Sequence, residues 1–205
     1  IYRGNPNKPQ VSLMINVAWG TEYLEEILTA LRNEHVKATF FLDGSWLKRH
    51  PQLAKKIAQE GHEIGNHAYS HPQMSRLTEK RIKEEIVRTE KLIQSITNQS
   101  SQYFAPPSGD YDQRVVKIAK ELHLQTVLWT LDTIDWKNPS PETIIQRIIS
   151  KADNGHLILM HPTESSATAL PQLIKKIKEK GLKIGPVKDT LSTKRILQVE
   201  APKFF

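Results

Sequence analysis

Two histidines, His67 and His71, are separated by three residues, a spacing that could serve a metal ion. On one helical turn, residues four apart lie on the same face with about 5–6 Å between their Cβ atoms, so their imidazoles could share one ion. The segment before them, residues 61–66, is typical of a short strand that runs into a turn. The pair would then follow the carboxyl end of a strand, where parallel α/β folds build their sites. Taken alone, the spacing fits a metal site and two ordinary surface histidines equally well.

The elements that must position these histidines alternate between strand-like and helix-like patterns. Short apolar runs predict strands at 11–17, 38–42, 63–65, 103–104, 126–129, 157–160 and 182–184. Helical periodicity between these runs predicts helices at 23–33, 51–59, 78–97, 113–122, 141–152 and 172–180. Regular alternation of this kind implies a parallel sheet in an α/β fold, followed by a basic tail that reaches Phe205.

The composition describes a soluble globular protein. With 205 residues, 38% of them hydrophobic and 25% charged, the chain can form a substantial core, and we expect a single domain over residues 1–205. No apolar run of 18 residues occurs, so the sequence predicts no membrane-spanning helix. The chain has no cysteine, which excludes disulfides and leaves only nitrogen and oxygen ligands for a metal ion.

The charge and the first residue bear on partners and location. The formal net charge is +7, but the lysines are spread over helical faces without interleaved aromatic residues, so we expect a solvated surface and no nucleic-acid partner. A basic surface would also suit an anionic cell wall. Because the chain begins at Ile1 rather than Met, we expect an upstream signal or anchor to be missing from it, and an extracellular or cell-envelope location.

Five sequence blocks occur in a recognisable order. They are Val36–Phe41, Gly61–His67 with Ser70-His71-Pro72, Phe104–Gly109, Asp132–Trp136 and Leu159–His161. Together they resemble the NodB-type polysaccharide deacetylases, carbohydrate esterase family 4, over roughly residues 10 to 187. The resemblance implies a distorted, incomplete TIM-type (β/α) barrel with parallel strands and a site at their carboxyl ends. It also implies removal of the acetyl group from N-acetylated sugars.

That reaction adds water to an amide carbon. It needs a metal that polarises the carbonyl, a general base, an oxyanion donor and an acid that protonates the leaving amine. The resemblance assigns His67 and His71 to a divalent metal, zinc or similar. It assigns His161 as the general acid, with Asp135 as the carboxylate that raises its pKa.

The resemblance also assigns the residues that would contact the substrate. Trp136 and Leu159 match the apolar wall around the acetyl methyl group. Pro107 and Ser108 belong to the third block, where the backbone N–H after Pro107 would be the oxyanion donor.

Two stretches depart from the family pattern: Met14–Gly20, which corresponds to the family's first motif, and the third block. The family has Thr-Phe-Asp-Asp-Gly, in which the first Asp is the base and the second binds the metal. Here Asn16 takes the base position and Val17 the ligand position, and residues 11–20 contain no Asp or Glu. An amide cannot accept a proton at neutral pH. Ala105 replaces the arginine that pairs with the base in the family pattern. The loss of the arginine is coupled to the loss of the base, because an arginine kept here would be buried without its counter-charge.

Two other carboxylates could replace the missing one. Asp43 follows the second predicted strand and Glu22 follows the first, although either residue is also suited to face solvent or to cap a helix. Without a carboxylate, we expect the metal to be weakly bound or absent.

Two functions remain open. They differ in whether the chain is still a metal-dependent N-deacetylase. The first is a deacetylase of cell-wall glycan that contains N-acetylglucosamine, peptidoglycan or chitin-like, with weak or lost activity. The alternative is a catalytically inactive protein that binds glycan or has a structural role in the envelope. We expect a monomer whose partner is an N-acetylated glycan, with envelope proteins as further candidates.

Overall fold

The structure is a computed structural model that describes residues 1–193. Its strands are β1 (Gln10–Val17), β2 (Thr39–Leu42), β3 (Glu63–Asn66), β4 (Tyr103–Phe104), β5 (Gln125–Thr126), β6 (Leu131–Asp132), β7 (Leu157–Met160) and β8 (Lys183–Ile184). Its helices are α1 (Leu24–Asn33), α2 (Gly44–Arg49), α3 (Pro51–Gln59), α4 (Glu79–Thr97), α5 (Gln113–Glu121), α6 (Pro141–Ile149), α7 (Glu164–Glu179) and α8 (Val187–Leu191). Three short 3₁₀ turns lie at Met74–Arg76, Pro107–Gly109 and Asp135–Lys137.

The strands form a parallel sheet with the order β5-β4-β3-β2-β1-β7-β6, and β8 pairs with the start of β1. Within residues 1–193, β5 and β6 stand at the two ends of this order without pairing to each other. The predicted fold, an incomplete α/β barrel with parallel strands, is confirmed.

Side chains of β1 alternate between two cores. Leu13, Ile15 and Val17 point outward into a cluster with apolar residues of α1, α6 and α7. Met14 points inward, into a cluster that we call the lumen cluster: Met14, Phe41, Tyr103, Ala105, Val127, Leu157 and Val187. Because successive residues of a strand face opposite sides, Asn16 shares the inner side with Met14.

Most predicted elements agree with the structure, and four parts of the chain differ. Helix α2 was not predicted; it begins after Asp43, whose side chain accepts a hydrogen bond from the backbone N–H of Trp46. The run at 126–129 is strand only at its start, and β6 follows instead. Helix α7 begins at Glu164 after an N-cap at Thr163, eight residues earlier than predicted, and continues through Pro171. Helix α8 was also not predicted.

The basic tail lies outside the described residues, which end at residue 193. Across the described part, none of the helices combines the length and the apolar character required to cross a membrane.

Candidate active site

A cavity of about 380 Å³ opens at the carboxyl ends of the central strands. Its lining residues come from several loops that follow strands: Asn16, Trp19, His67, His71, Ser108, Trp129, Asp132, Trp136, Leu159 and His161. Seven of these were singled out from the sequence, whereas Trp19, Trp129 and Asp132 were not. We refer to this cavity as the central pocket.

His67 follows β3 directly and is almost completely buried, with 1% of its surface exposed. Its backbone N–H donates to the Leu42 carbonyl, and its Nδ1 lies 2.7 Å from the carbonyl oxygen of Ala105. Burial, reinforced by the neighbouring His71, lowers the pKa of His67 to about 3. The ring is therefore neutral at physiological pH, and the contact to Ala105 directs Nε2 away from that carbonyl.

His71 reaches the pocket by a route different from the predicted helical turn. Residues 67–71 are not helical, and both Ala68 and His71 have positive φ angles of 61° and 54°. The expectation of an i, i+4 pair on a helix was wrong. The two rings nevertheless meet, with centroids 5.2 Å apart and planes at 71°. Burial lowers the pKa of His71, an effect that Asp43 opposes.

A buried carboxylate holds this loop in place. Glu85 of α4 is 1% exposed and accepts hydrogen bonds from the backbone N–H groups of Tyr69 and Ser70 at 2.9 and 2.8 Å. Its other oxygen accepts from the Ser70 hydroxyl and from Arg81. Glu85 thus replaces the hydrogen bonds that a helix would have supplied to these N–H groups.

Asn16 occupies the inner side of β1 at the pocket floor. It is 3% exposed, and its Oδ1 is buried without a hydrogen-bond partner among the described residues. Val17 does not reach the pocket, because its side chain lies in the outer cluster between the sheet and the helices. The metal-ligand position that the sequence assigned to Val17 is therefore wrong for this backbone.

The donor set does not fit a tightly bound divalent metal. Across residues 1–193, no three His, Cys, Asp or Glu side chains are grouped so that they could hold an ion. The assigned metal position offers the imidazoles of His67 and His71 and the amide oxygen of Asn16; Asp132 and His161 also line the pocket, but they are not grouped with the two histidines in a set that could hold an ion. Without a carboxylate, such a set has low affinity for zinc-like ions.

His161 and Asp135 form a hydrogen-bonded pair beside the pocket. His161 Nδ1 lies 2.8 Å from Asp135 Oδ1, and the His161 backbone N–H donates to Oδ2 at 2.6 Å. The Ser166 hydroxyl also donates to Oδ2, at 2.5 Å. Burial opposes ionisation of Asp135, but the contacts with His161 and Ser166 outweigh it, so the pKa of Asp135 is lowered. A carboxylate held in this way fixes the imidazole orientation.

The third sequence block contributes one residue to the pocket lining. Ser108 is exposed in the pocket with a positive φ of 54°, while Pro107 is buried behind it. Ala105 is fully buried in the lumen cluster, and it contacts the site through its backbone carbonyl on His67. Trp136 and Leu159 both line the pocket.

The two candidate replacement carboxylates have other contacts. Asp43 is buried, and its Oδ1 accepts from the Trp46 N–H and the Ser45 hydroxyl at the start of α2. Glu22 is exposed and accepts from the Thr21 N–H. Neither lines the central pocket. The carboxylate that does is Asp132, at the end of β6, whose Oδ1 accepts from the Ile134 N–H.

Buried neutral histidines should make the protein sensitive to acid. Burial lowers the pKa of His67 to about 3 and that of His62 to about 4, whereas both titrate near 6.5 when unfolded. Between pH 6.5 and these lowered values, only the unfolded state gains the protons, so stability falls as pH falls. We expect a loss of about 2 kcal/mol for each histidine between pH 6.5 and pH 5, measured by denaturant unfolding.

A matched pair of variants isolates the contribution of His62 to the pH dependence of stability. His62→Asn keeps an acceptor for the Ala38 N–H, which His62 Nδ1 accepts at 3.2 Å, but removes the titrating group. Its unfolding free energy should depend less steeply on pH than the wild type's. His35→Asn, at an exposed position with a positive φ, should leave the slope unchanged. Equal slopes in all three proteins would contradict the assignment.

Comparison with known proteins places this geometry in a family. The family model described as polysaccharide deacetylase matches residues 3–127. An uncharacterised protein of Bacillus subtilis, YlxY, is 50% identical over 198 residues, which are 97% of this chain and 62% of that protein. A peptidoglycan-N-acetylglucosamine deacetylase of Bacillus cereus is 35% identical over 185 residues, 88% of this chain and 67% of that enzyme.

Solved structures agree with the sequence comparisons. The crystal structure of a CE4 family pseudoenzyme from Bacillus anthracis superposes with a TM-score of 0.94 at 47% identity, and covers 96% of this chain and 70% of that one. A mutant of the same pseudoenzyme, described as having restored enzymatic activity, superposes equally well at 46% identity. The family model covers more than half of the chain and the relatives cover nearly all of it, so the chain belongs to the polysaccharide deacetylase family.

Proposed function

We propose that the chain binds N-acetylated cell-wall glycan in the central pocket and hydrolyses its acetamide at little or no rate. The observation that carries this proposal is the position of Asn16. Its amide lines the same pocket as the two histidines, and the family pattern assigns to this residue the place of the carboxylate base, a role that an amide cannot fill. The pocket keeps groups suited to hold a sugar, but it has no base at that position.

The remaining roles follow from the geometry and the family pattern. His161 with Asp135 would be a general acid without a base to work with. Trp136 and Leu159 would receive the acetyl methyl group, and the backbone after Pro107 would face its oxygen. His67 and His71 would stand at the position where the family pattern has its metal.

The relatives support a cell-wall glycan as ligand. Among them are enzymes named as peptidoglycan-N-acetylglucosamine and peptidoglycan-N-acetylmuramic acid deacetylases. The pseudoenzyme description of the Bacillus anthracis protein supports the loss of activity. We therefore also propose that the protein acts at the cell envelope or outside the cell.

One observation favours residual deacetylation as a second candidate. Asp132 is a carboxylate in the pocket lining. It belongs to β6, which is two strands away from β1 in the order β1-β7-β6, and it already binds the Ile134 N–H. Across β7, Asp132 is level with Met14, two residues before Asn16, so with strands about 4.8 Å apart and a rise of about 3.3 Å per residue its backbone lies about 12 Å from that of Asn16 along the sheet.

Acetate release from N-acetylglucosamine oligomers separates these two candidates. We expect the wild type to be slower than an active family member by about 10²–10⁴-fold or more, because a general base contributes that much to the rate. Asp132→Asn should then change nothing measurable. Clear acetate release by the wild type that Asp132→Asn abolishes would instead establish Asp132 as a working base.

A further inference from the structure

Trp19 is a large aromatic residue in an exposed position at the rim of the central pocket. Its side chain is 46% exposed, although a tryptophan is normally buried for most of its surface. It lies within the degenerate stretch Met14–Gly20, in the loop between β1 and α1. It lines the same cavity as Trp129, Trp136 and Leu159, and exposed apolar surface gathered in one pocket is typical of a site for a ligand or a partner.

The indole lies against the histidines. Its ring stacks on His161, with centroids 5.3 Å apart and planes at 22°, and it meets His71 edge-on at 6.3 Å. A cavity of about 380 Å³ remains beside it. Trp19 therefore lines the pocket without filling it: the ring stacks on an imidazole, and about half of the residue remains exposed.

The loop that carries Trp19 is held by the core. The indole N–H of Trp46, a fully buried residue, donates to the Gly20 carbonyl at 2.9 Å, and Gly20 has a positive φ of 71°. An aromatic platform fixed in advance loses little conformational entropy when a ligand binds. An indole also offers a large, rigid contact area, and ordering it costs little conformational entropy because the side chain has only two rotatable bonds.

We propose that Trp19 is a sugar-stacking residue, on which an N-acetylhexosamine ring of the glycan lays its apolar C–H face. The ring would pack between this platform and Trp136, the other exposed tryptophan of the pocket, which is 55% exposed. Trp19 would thereby supply affinity that the pocket does not obtain from a metal. This inference rests on the proposed glycan-binding function and adds the residue that provides the binding.

Calorimetric titration with a neutral N-acetylglucosamine tetramer tests the inference. Trp19→Ala should raise the dissociation constant about tenfold, equivalent to about 1.4 kcal/mol. Trp19→Phe should retain part of the lost affinity, because a smaller aromatic face remains. Tyr2→Ala is the matched control: Tyr2 is 50% exposed and lies outside the pocket, so its loss should leave binding unchanged.

Tryptophan fluorescence distinguishes a loss of sugar stacking from a general structural effect of the substitution. The chain has four tryptophans, and buried Trp46 should not respond to a ligand. The tetramer should shift the emission of the wild type, and Trp19→Ala should lose the part of that shift that Trp19 contributes, leaving the part from the other pocket tryptophans, Trp129 and Trp136, while unfolding at an unchanged temperature. If the wild type binds and Trp19→Ala binds equally well or more tightly, Trp19 is not a platform. If the wild type itself does not bind, the proposed function fails instead.

Discussion

Replacing Asn16 with aspartate is expected to raise acetate release from N-acetylglucosamine oligomers by about 10²-fold over the wild type. The change restores a proton acceptor at the pocket floor and adds a negative charge beside His67 and His71, which strengthens divalent metal binding. Since no arginine stands opposite, the new carboxylate should have a higher pKa than its family counterpart, and the recovery should be partial. The assay should therefore be run with added zinc across a range of pH.

Asn16→Ser is the matched control, because it is small, polar and unable to act as a base. It should stay as inactive as the wild type. If Asn16→Asp folds, binds the glycan and is no faster than Asn16→Ser, the missing base is not the limiting defect. The shape of the pocket around Trp19 or the metal position would then be responsible.

The arginine position can be tested in the same background. Ala105 is fully buried in the lumen cluster, so Ala105→Arg alone would bury an unpaired guanidinium at a cost of about 3 kcal/mol or more. Combined with Asn16→Asp, the same change should cost less stability and raise activity further than either change alone. Strictly additive effects in this double-mutant cycle would contradict a direct pairing of the two groups.

The second large effect concerns Glu85. Glu85→Ala should lower the free energy of unfolding by about 3 kcal/mol, because it leaves two backbone N–H groups and a hydroxyl without their acceptor in a buried place. Denaturant unfolding measures the loss. The loop with His71 should also loosen, which would weaken glycan binding.

Glu84→Ala provides the control on the same helix. Glu84 is 38% exposed and pairs with Arg81 at the surface, an interaction worth about 0–1 kcal/mol. Should Glu85→Ala cost no more than Glu84→Ala, the loop is not held by this carboxylate. Glu85→Gln removes the charge but keeps one acceptor oxygen for part of these hydrogen bonds, so it should cost less stability than Glu85→Ala.

The sequence predicted the site best where residues follow strands. His67, Leu159 and His161 lie at the ends of β3 and β7, and carboxyl ends of parallel strands meet at one edge. Asn16 could be placed for the same reason. Because successive side chains of a strand face opposite sides, an inward-facing Asn16 implies that Val17 faces outward, away from the pocket.

Loop geometry could not be predicted in the same way. The positive φ angles at Ala68 and His71 carry no sequence signal, because neither position is a glycine. Glu85 is fifteen positions beyond Ser70 and looks like one more acidic residue on a charged helix. Trp19 differs, since an aromatic residue within the degenerate stretch Met14–Gly20 is visible in the sequence.

The most direct test of the account is one titration followed by one mass measurement. Wild-type protein is titrated with an N-acetylglucosamine tetramer in a calorimeter, and the tetramer is then recovered and weighed by mass spectrometry. The account predicts measurable binding and a tetramer that keeps all its acetyl groups. Tetramer deacetylated at a rate comparable to that of an active family member assayed in parallel would show that the pocket is a working active site and would contradict the proposed function.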